Sequence, residues 1–188
     1  MLGEKRVNYW DANIFLAWLK REVRPDPNDM LGVEEQVRQY EAGQIIVVTS
    51  VLTITEILES TLDETAKQKF IQFQNRRGSY ELLEVSLPIA KLASEIRNYY
   101  KETGPADYHL ATPDSIHLAT AILHRCDDFF TFDCNNKKKR GQNCDNTNYL
   151  ACYGLIPLSN KVAGKHDLTI GKPPIGIQPK LPSNSLEL

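Results

Sequence analysis

The run Ile45-Ile-Val-Val48 constrains this chain more than any other feature. It is short, continuous, apolar and β-branched, and it lacks the alternation of a strand with one face in water. Such a strand is covered on both faces, as in a parallel sheet packed between helices. Further short apolar runs at 7–10, 82–85 and 129–132 read as companion strands, and helical spacing fills the intervals between them. Helices are expected over 14–22, 33–42, 53–60, 63–77, 88–102 and 112–125. Gly43 and Gly78 act as stops, and Thr112 and Pro113 serve as cap and first residue of the last helix. Arg24-Pro-Asp-Pro-Asn-Asp29 reads as a breaker. The expected fold class is α/β, a three-layer α/β/α arrangement around a central, mainly parallel sheet of four to five strands.

A length of 188 residues allows one core domain. That domain is expected over 1–160, with 161–188 as an extended C-terminal tail where prolines recur without a period. Within it, Gly154-Leu-Ile-Pro-Leu158 reads as a returning edge strand, where a proline is tolerated. The polar stretch 134–148, with Lys137, Lys138, Lys139 and Arg140 at its middle, reads as a loop or insertion. No apolar run approaches the ~20 residues that span a bilayer, and the N-terminus has no signal-peptide core. A cytoplasmic protein without membrane contact is expected. The net charge of −2 does not advertise nucleic-acid binding, but global charge says little about a local patch. Cys126, Cys134, Cys144 and Cys152 lack Cys-x-x-Cys spacing and read as reduced thiols.

Four acids stand where apolar runs end or helices begin: Asp11, Glu56, Asp114 and Asp133. Each has a plainer duty available to it. Asp11 suits a helix cap, Thr53-Ile-Thr-Glu56 matches a capping box, Asp114 complements a helix dipole, and Asp133 fits a turn. Jointly these duties explain less. In a parallel α/β sheet ligands bind outside the C-terminal strand ends, where strand order reverses, and all four acids belong to that edge. Crowded carboxylates repel unless a cation or a retained proton intervenes, and a hard divalent cation such as Mg²⁺ or Mn²⁺ suits oxygen ligands.

The surrounding residues resemble the PIN-domain nucleases, particularly the toxin subunits of the VapBC type. Tyr9-Trp-Asp-Ala-Asn-Ile-Phe15 is similar to the family's opening strand, and Thr49-Ser-Val-Leu-Thr-Ile-Thr-Glu-Ile-Leu58 to its second motif. Thr112-Pro-Asp-Ser-Ile-His-Leu-Ala-Thr-Ala121 is similar to the third and most specific motif, and Phe130-Thr-Phe-Asp-Cys-Asn135 to the fourth. The likeness spans roughly residues 5 to 158. It implies that Asp11, Glu56, Asp114 and Asp133 are catalytic, metal-binding acids, with Asn13 and Ser50 in support. The implied activity is endoribonucleolytic hydrolysis with Mg²⁺ or Mn²⁺, by the toxin of a toxin–antitoxin pair. Its partners would then be RNA, an antitoxin protein and a second copy in a homodimer. A housekeeping RNA-processing nuclease and a non-catalytic RNA-binding module are the alternatives, since fold does not fix function. The 134–148 stretch is longer and more basic than the family's usual link.

Lys137, Lys138, Lys139 and Arg140 are candidate RNA-phosphate contacts. His117, one helical turn from Asp114, reads as a packing or hydrogen-bonding residue, and Tyr99, Tyr100 and Tyr108 as packing residues. An aspartyl-phosphate mechanism is disfavoured because Asn13 stands where a second acid would donate a proton, and no phosphate loop is present.

Overall fold

The computed structural model describes residues 5–76, 78–103, 110–133 and 154–176. Its strands are β1 (Arg6–Trp10), β2 (Ile45–Ser50), β3 (Tyr80–Leu83), β4 (Asp128–Phe130) and β5 (Thr169–Gly171). They form one sheet in the order β3-β2-β1-β4-β5, with every pairing parallel. Between β1 and β2 run α1 (Ala12–Lys20) and α2 (Pro27–Glu41), and between β2 and β3 run α3 (Val51–Glu59) and α4 (Glu64–Gln74). The helices α5 (Leu87–Thr103) and α6 (Thr112–Leu123) connect β3 to β4. No described helix is long and apolar enough to cross a membrane.

Neighbouring strand residues feed opposite cores, as the two-residue period of a strand demands. Tyr9, Val48 and Phe129 pack with Ile89, Ile96 and Leu118 from α5 and α6. Trp10, Val47 and Phe130 pack with Phe15, Val33, Val37, Phe70 and Phe73 from α1, α2 and α4. Helices therefore cover both faces, which makes three layers and accounts for the uninterrupted β-branched run in β2. Each such side chain contributes roughly 1.5–3 kcal/mol on full burial.

Most expected elements are present with ends displaced by a few residues, and the larger displacements have local causes. α2 starts six residues earlier than its apolar spacing suggests, because Asp26 caps it by accepting the Asn28 N–H at 2.9 Å. Pro27 follows at a position whose missing N–H costs nothing. Part of the expected breaker is thus a helix start. α3 starts at Val51 with Ser50 as its cap, so Thr53 does not cap it and Glu56 lies beyond the first turn.

The C-terminal region departs further from expectation. Gly154–Leu158 is not the edge strand; Ile156–Leu158 forms a single 3₁₀ turn, which suits the fixed φ of Pro157. The edge strand is β5, whose Thr169 and Ile170 pair with Asp128 and Phe129 of β4. Val162, Leu168 and Ile170 are buried in the core, so the chain does not leave the fold at Lys161. Beyond β5, Lys172 reaches Asp29 of α2 at 2.7 Å. There the backbone passes so close to α2 that a Cβ on Gly32 would meet the Pro173 carbonyl oxygen at 2.0 Å. The expected tail from 177 onward, the 134–148 loop with Lys137–Arg140, Tyr108, and three of the four cysteines lie outside the described residues. Cys126 is buried and forms no disulfide among the described residues, and burial pushes its thiol well up.

Truncating a buried aliphatic side chain leaves a cavity that costs about 2–5 kcal/mol. Ile170→Ala is therefore expected to lower the unfolding free energy from denaturant titration by an amount in that range. A loss below about 0.5 kcal/mol, typical of exposed positions, would return residues beyond Lys161 to the status of a tail.

Candidate functional site

Strand order reverses at β1, whose chain continues to β2 on one side while β4 lies on the other. The Asp11 N–H donates to the Phe130 carbonyl at 3.1 Å, which prolongs the β1–β4 pairing one residue past the strand end. Asp11 is thereby fixed at the switch point, where it also caps α1 through Oδ1 and the Ala12 N–H at 2.7 Å. The helix-capping duty and a site duty are compatible. Oδ2 accepts from the Asn13 amide at 2.6 Å and the Thr131 hydroxyl at 2.8 Å. Asn13 in turn accepts the Phe132 N–H at 2.9 Å, and Thr131 Oγ1 accepts the Asp133 N–H at 3.0 Å. One polar network therefore locks the segment after β4, with Asp133 on it, to the start of α1.

Glu56 comes from the second turn of α3 and Asp114 from the first turn of α6. α6 has no side-chain cap; Ala111 holds the capping position and Thr112 is already helical, contrary to the expected role of Thr112. Asp11, Asn13, Glu56, Asp114 and Asp133 all line one open cleft of about 510 Å³, together with Glu22, Arg24 and Phe132. The four expected acids, supplied by four separate segments, are thus brought together. Ser50 is not among the lining residues. It is fully buried and supports the site indirectly, as the cap that sets where α3 begins.

Three participants escaped the reading of the sequence. Thr131 looked like any strand threonine, because its partners Asp11 and Asn13 lie some 120 residues away. Glu22 and Arg24 sat in a segment read as helix end and breaker, yet Arg24 reaches the cleft. Its guanidinium lies 3.8 Å over the Phe132 ring and pairs with Glu22 at 2.9 Å and Asp29 at 3.3 Å. His117 is almost fully buried and hydrogen-bonds on both sides, to the Tyr9 hydroxyl through Nδ1 at 2.6 Å and to Glu56 Oε2 through Nε2 at 3.2 Å. The expected hydrogen-bonding role holds. Tyr100 is likewise a packing residue, with its hydroxyl accepting the Ala163 N–H at 3.0 Å.

The electrostatics follow from burial. Desolvation raises the Asp11 pKa, and repulsion from Glu56 adds to it against the lowering pull of His117, Thr131 and Ala12. Burial is thus a larger cause than the crowding of acids. Burial pulls His117 down, but the Glu56 hydrogen bond and the charges of Asp11, Glu56 and Asp114 outweigh it, leaving the imidazole more basic than usual. Burial, then the Asp11 charge, push the Tyr9 hydroxyl well above its ordinary range, so it keeps its proton. Single ligand atoms from Asp11, Glu56 and His117 lie within 4.8 Å of one another. Three further carboxylates, Glu22, Asp114 and Asp133, line the same cleft as Asp11 and Glu56, so the group can hold a metal ion, and the donor set is mostly hard oxygen.

Thr131→Val keeps the shape but removes one donor to Asp11 and one acceptor for Asn13 and the Asp133 N–H. Leaving such buried groups unpaired costs about 1–3 kcal/mol. The expected outcome is a lower urea midpoint with an unchanged slope, equivalent to a stability loss of that size; an unchanged midpoint would make the hydroxyl dispensable to the fold.

The PIN domain family model matches residues 9–141. No curated protein matches the chain. Among solved structures it is similar to a toxin–antitoxin complex from Klebsiella pneumoniae, at 26% identity over 71% of this chain and 91% of that chain, with a TM-score of 0.41. It is also similar to FitAcB from Neisseria gonorrhoeae, at 22% identity over 67% and 87% of the two chains, with a TM-score of 0.47. A third is VapBC2 from Rickettsia felis bound to a DNA fragment from its promoter, at 14% identity over 66% and 86%, with a TM-score of 0.49.

Proposed function

The chain belongs to the PIN-domain family, and on that premise we propose that it is an endoribonuclease dependent on Mg²⁺ or Mn²⁺, acting as the toxin of a toxin–antitoxin pair. The observation that carries the catalytic reading is the convergence of Asp11, Glu56, Asp114 and Asp133 on one cleft. These carboxylates fit a hard cation, because oxygen donors dominate the set and Asp11 retains acceptor capacity beyond its three protein hydrogen bonds. Asp11, Glu56, Asp114 and Asp133 would hold the ion. When bound, such an ion supplies an activated water and neutralises the non-bridging phosphate oxygens.

The chain's own residues do the rest. Thr131 and Asn13 fix the Asp11 carboxylate, so its charge is positioned before substrate arrives. Arg24, a cation at the rim of a cleft lined by acids, is held by Phe132, Glu22 and Asp29, and is placed to grip an RNA phosphate beside the scissile one. Lys137, Lys138, Lys139 and Arg140 are proposed as further phosphate contacts.

A purely RNA-binding module is the weaker alternative. A cleft lined by several carboxylates repels phosphate, so these acids make sense only with a cation between them and the substrate. A processing nuclease would use the same chemistry; what favours the toxin role is the order and form of the four sequence motifs. As a toxin the protein would work as a homodimer and be silenced by an antitoxin, whose arginine could pair bidentately with the cleft carboxylates.

Four outcomes test these readings. Mn²⁺ at a hundred times its dissociation constant is expected to stabilise the protein by about 2.7 kcal/mol, seen as a raised melting temperature. Asp11→Asn removes that stabilisation and all metal-dependent RNA cleavage, with the circular dichroism spectrum unchanged. Metal-dependent turnover retained in the variant would exclude Asp11 as an essential ligand. Arg24→Ala is expected to raise KM for RNA severalfold with little change in kcat, because a contact present equally in ground and transition states affects binding alone. Expression of the chain is expected to arrest growth, with rescue by a co-purifying neighbour; unaffected growth and no co-purifying protein would favour a processing nuclease.

A further inference from the structure

Proximity alone would make His117 a metal ligand beside Asp11 and Glu56, but its hydrogen bonds argue otherwise. A carboxylate can only accept, so at 3.2 Å from Glu56 Oε2 the His117 Nε2 must carry the proton. On the other side, the Tyr9 oxygen receives the Ser50 N–H at 3.1 Å. Its own hydroxyl proton is therefore available to Nδ1 at 2.6 Å. The opposite tautomer would set the Nε2 lone pair against the lone pairs of Glu56 and leave the Tyr9 proton without this acceptor. Nε2 is protonated in the neutral ring so arranged, and equally in the imidazolium.

We propose that Tyr9 fixes the tautomer of His117, so that the ring donates to Glu56, stays out of the metal's coordination sphere and keeps the centre an all-oxygen site. This rests on the metal-centre reading above. Glu56 needs such help because it comes from a helix and is half-buried, whereas Asp11 is held by three protein donors. Held through Oε2, Glu56 would be fixed in place to help hold the ion. An exposed imidazole lone pair at the same place would add a nitrogen donor, which suits Zn²⁺ and other late transition metals better than Mg²⁺. His117 and Tyr9 are thus positioning residues, and Tyr9 acts on metal choice from two residues before Asp11 without touching the ion.

The test uses the whole chain. Imidazole ¹⁵N spectra of the metal-free protein should report His117 protonated at Nε2. Tyr9→Phe keeps the ring stacked on Phe129, whose centroid lies 4.9 Å away, and removes only the hydroxyl. By calorimetry it should lose about tenfold in Mn²⁺ affinity, as loss of an outer-shell partner does, with no matching loss for Zn²⁺. His117→Gln places an amide NH₂ near the Nε2 position and should hold Mn²⁺ within a few-fold of wild type, whereas His117→Leu should lose about tenfold or more. An unprotonated Nε2 in the metal-free wild type overturns the proposal, as do equal Mn²⁺ losses in the Gln and Leu variants, or parallel Mn²⁺ and Zn²⁺ losses in Tyr9→Phe. Failure of the underlying reading looks different: there the wild type itself binds no divalent ion.

Discussion

The parallel pairing of β1 with β4 is the constraint on which the rest of the site depends. It places the C-terminal ends of two strands side by side where the strand order reverses, and the Asp11 N–H bond to Phe130 carries the pairing one residue beyond β1. From that point α1 departs, with Asp11 as its cap. The segment after β4 then has nowhere to go but across the Asp11 carboxylate. Thr131 and Asn13 close that junction with hydrogen bonds in both directions, and Asp133 is delivered to the cleft as a consequence.

Holding carboxylates this close opposes folding, and the structure offsets the cost locally. Asp11 is buried, which raises its pKa, yet it accepts three hydrogen bonds that favour the charged form. His117 brings a basic imidazole against Glu56. Arg24 brings a fixed positive charge to the rim, and is itself steadied through Asp29, which Lys172 also reaches. That last link ties the segment after β5 to the site through α2. The C-terminal residues up to Pro173 are therefore part of the scaffold that orients the cleft.

Several features were legible in the residues because their physics is local. The β-branched run in β2 demands cover on both faces, and helical spacing between short strands demands crossovers, so the layered parallel sheet follows from periodicity. Asp11, Asp114 and Asp133 were legible because each adjoins the end of an apolar run or the start of a helix, and Glu56 because it lies in the first two turns of the helix after β2. The errors were local as well. Asp26 and Pro27 start a helix inside what reads as a breaker, and a proline in Gly154–Leu158 makes a 3₁₀ turn. The last strand is only three residues long, Thr169–Gly171, too short for any alternation to be visible.

By itself the sequence determined the fold class and the end of the sheet at which Asp11, Glu56, Asp114 and Asp133 meet, since each depends on residue type and near spacing. Tertiary structure alone decided the partners. Thr131 meets Asp11 across the β1–β4 junction, Tyr9 and Glu56 grip His117 from different layers, and Arg24 folds back over Phe132. A hydrogen bond between residues a hundred positions apart leaves no periodic trace, because its geometry exists only once the strands have paired.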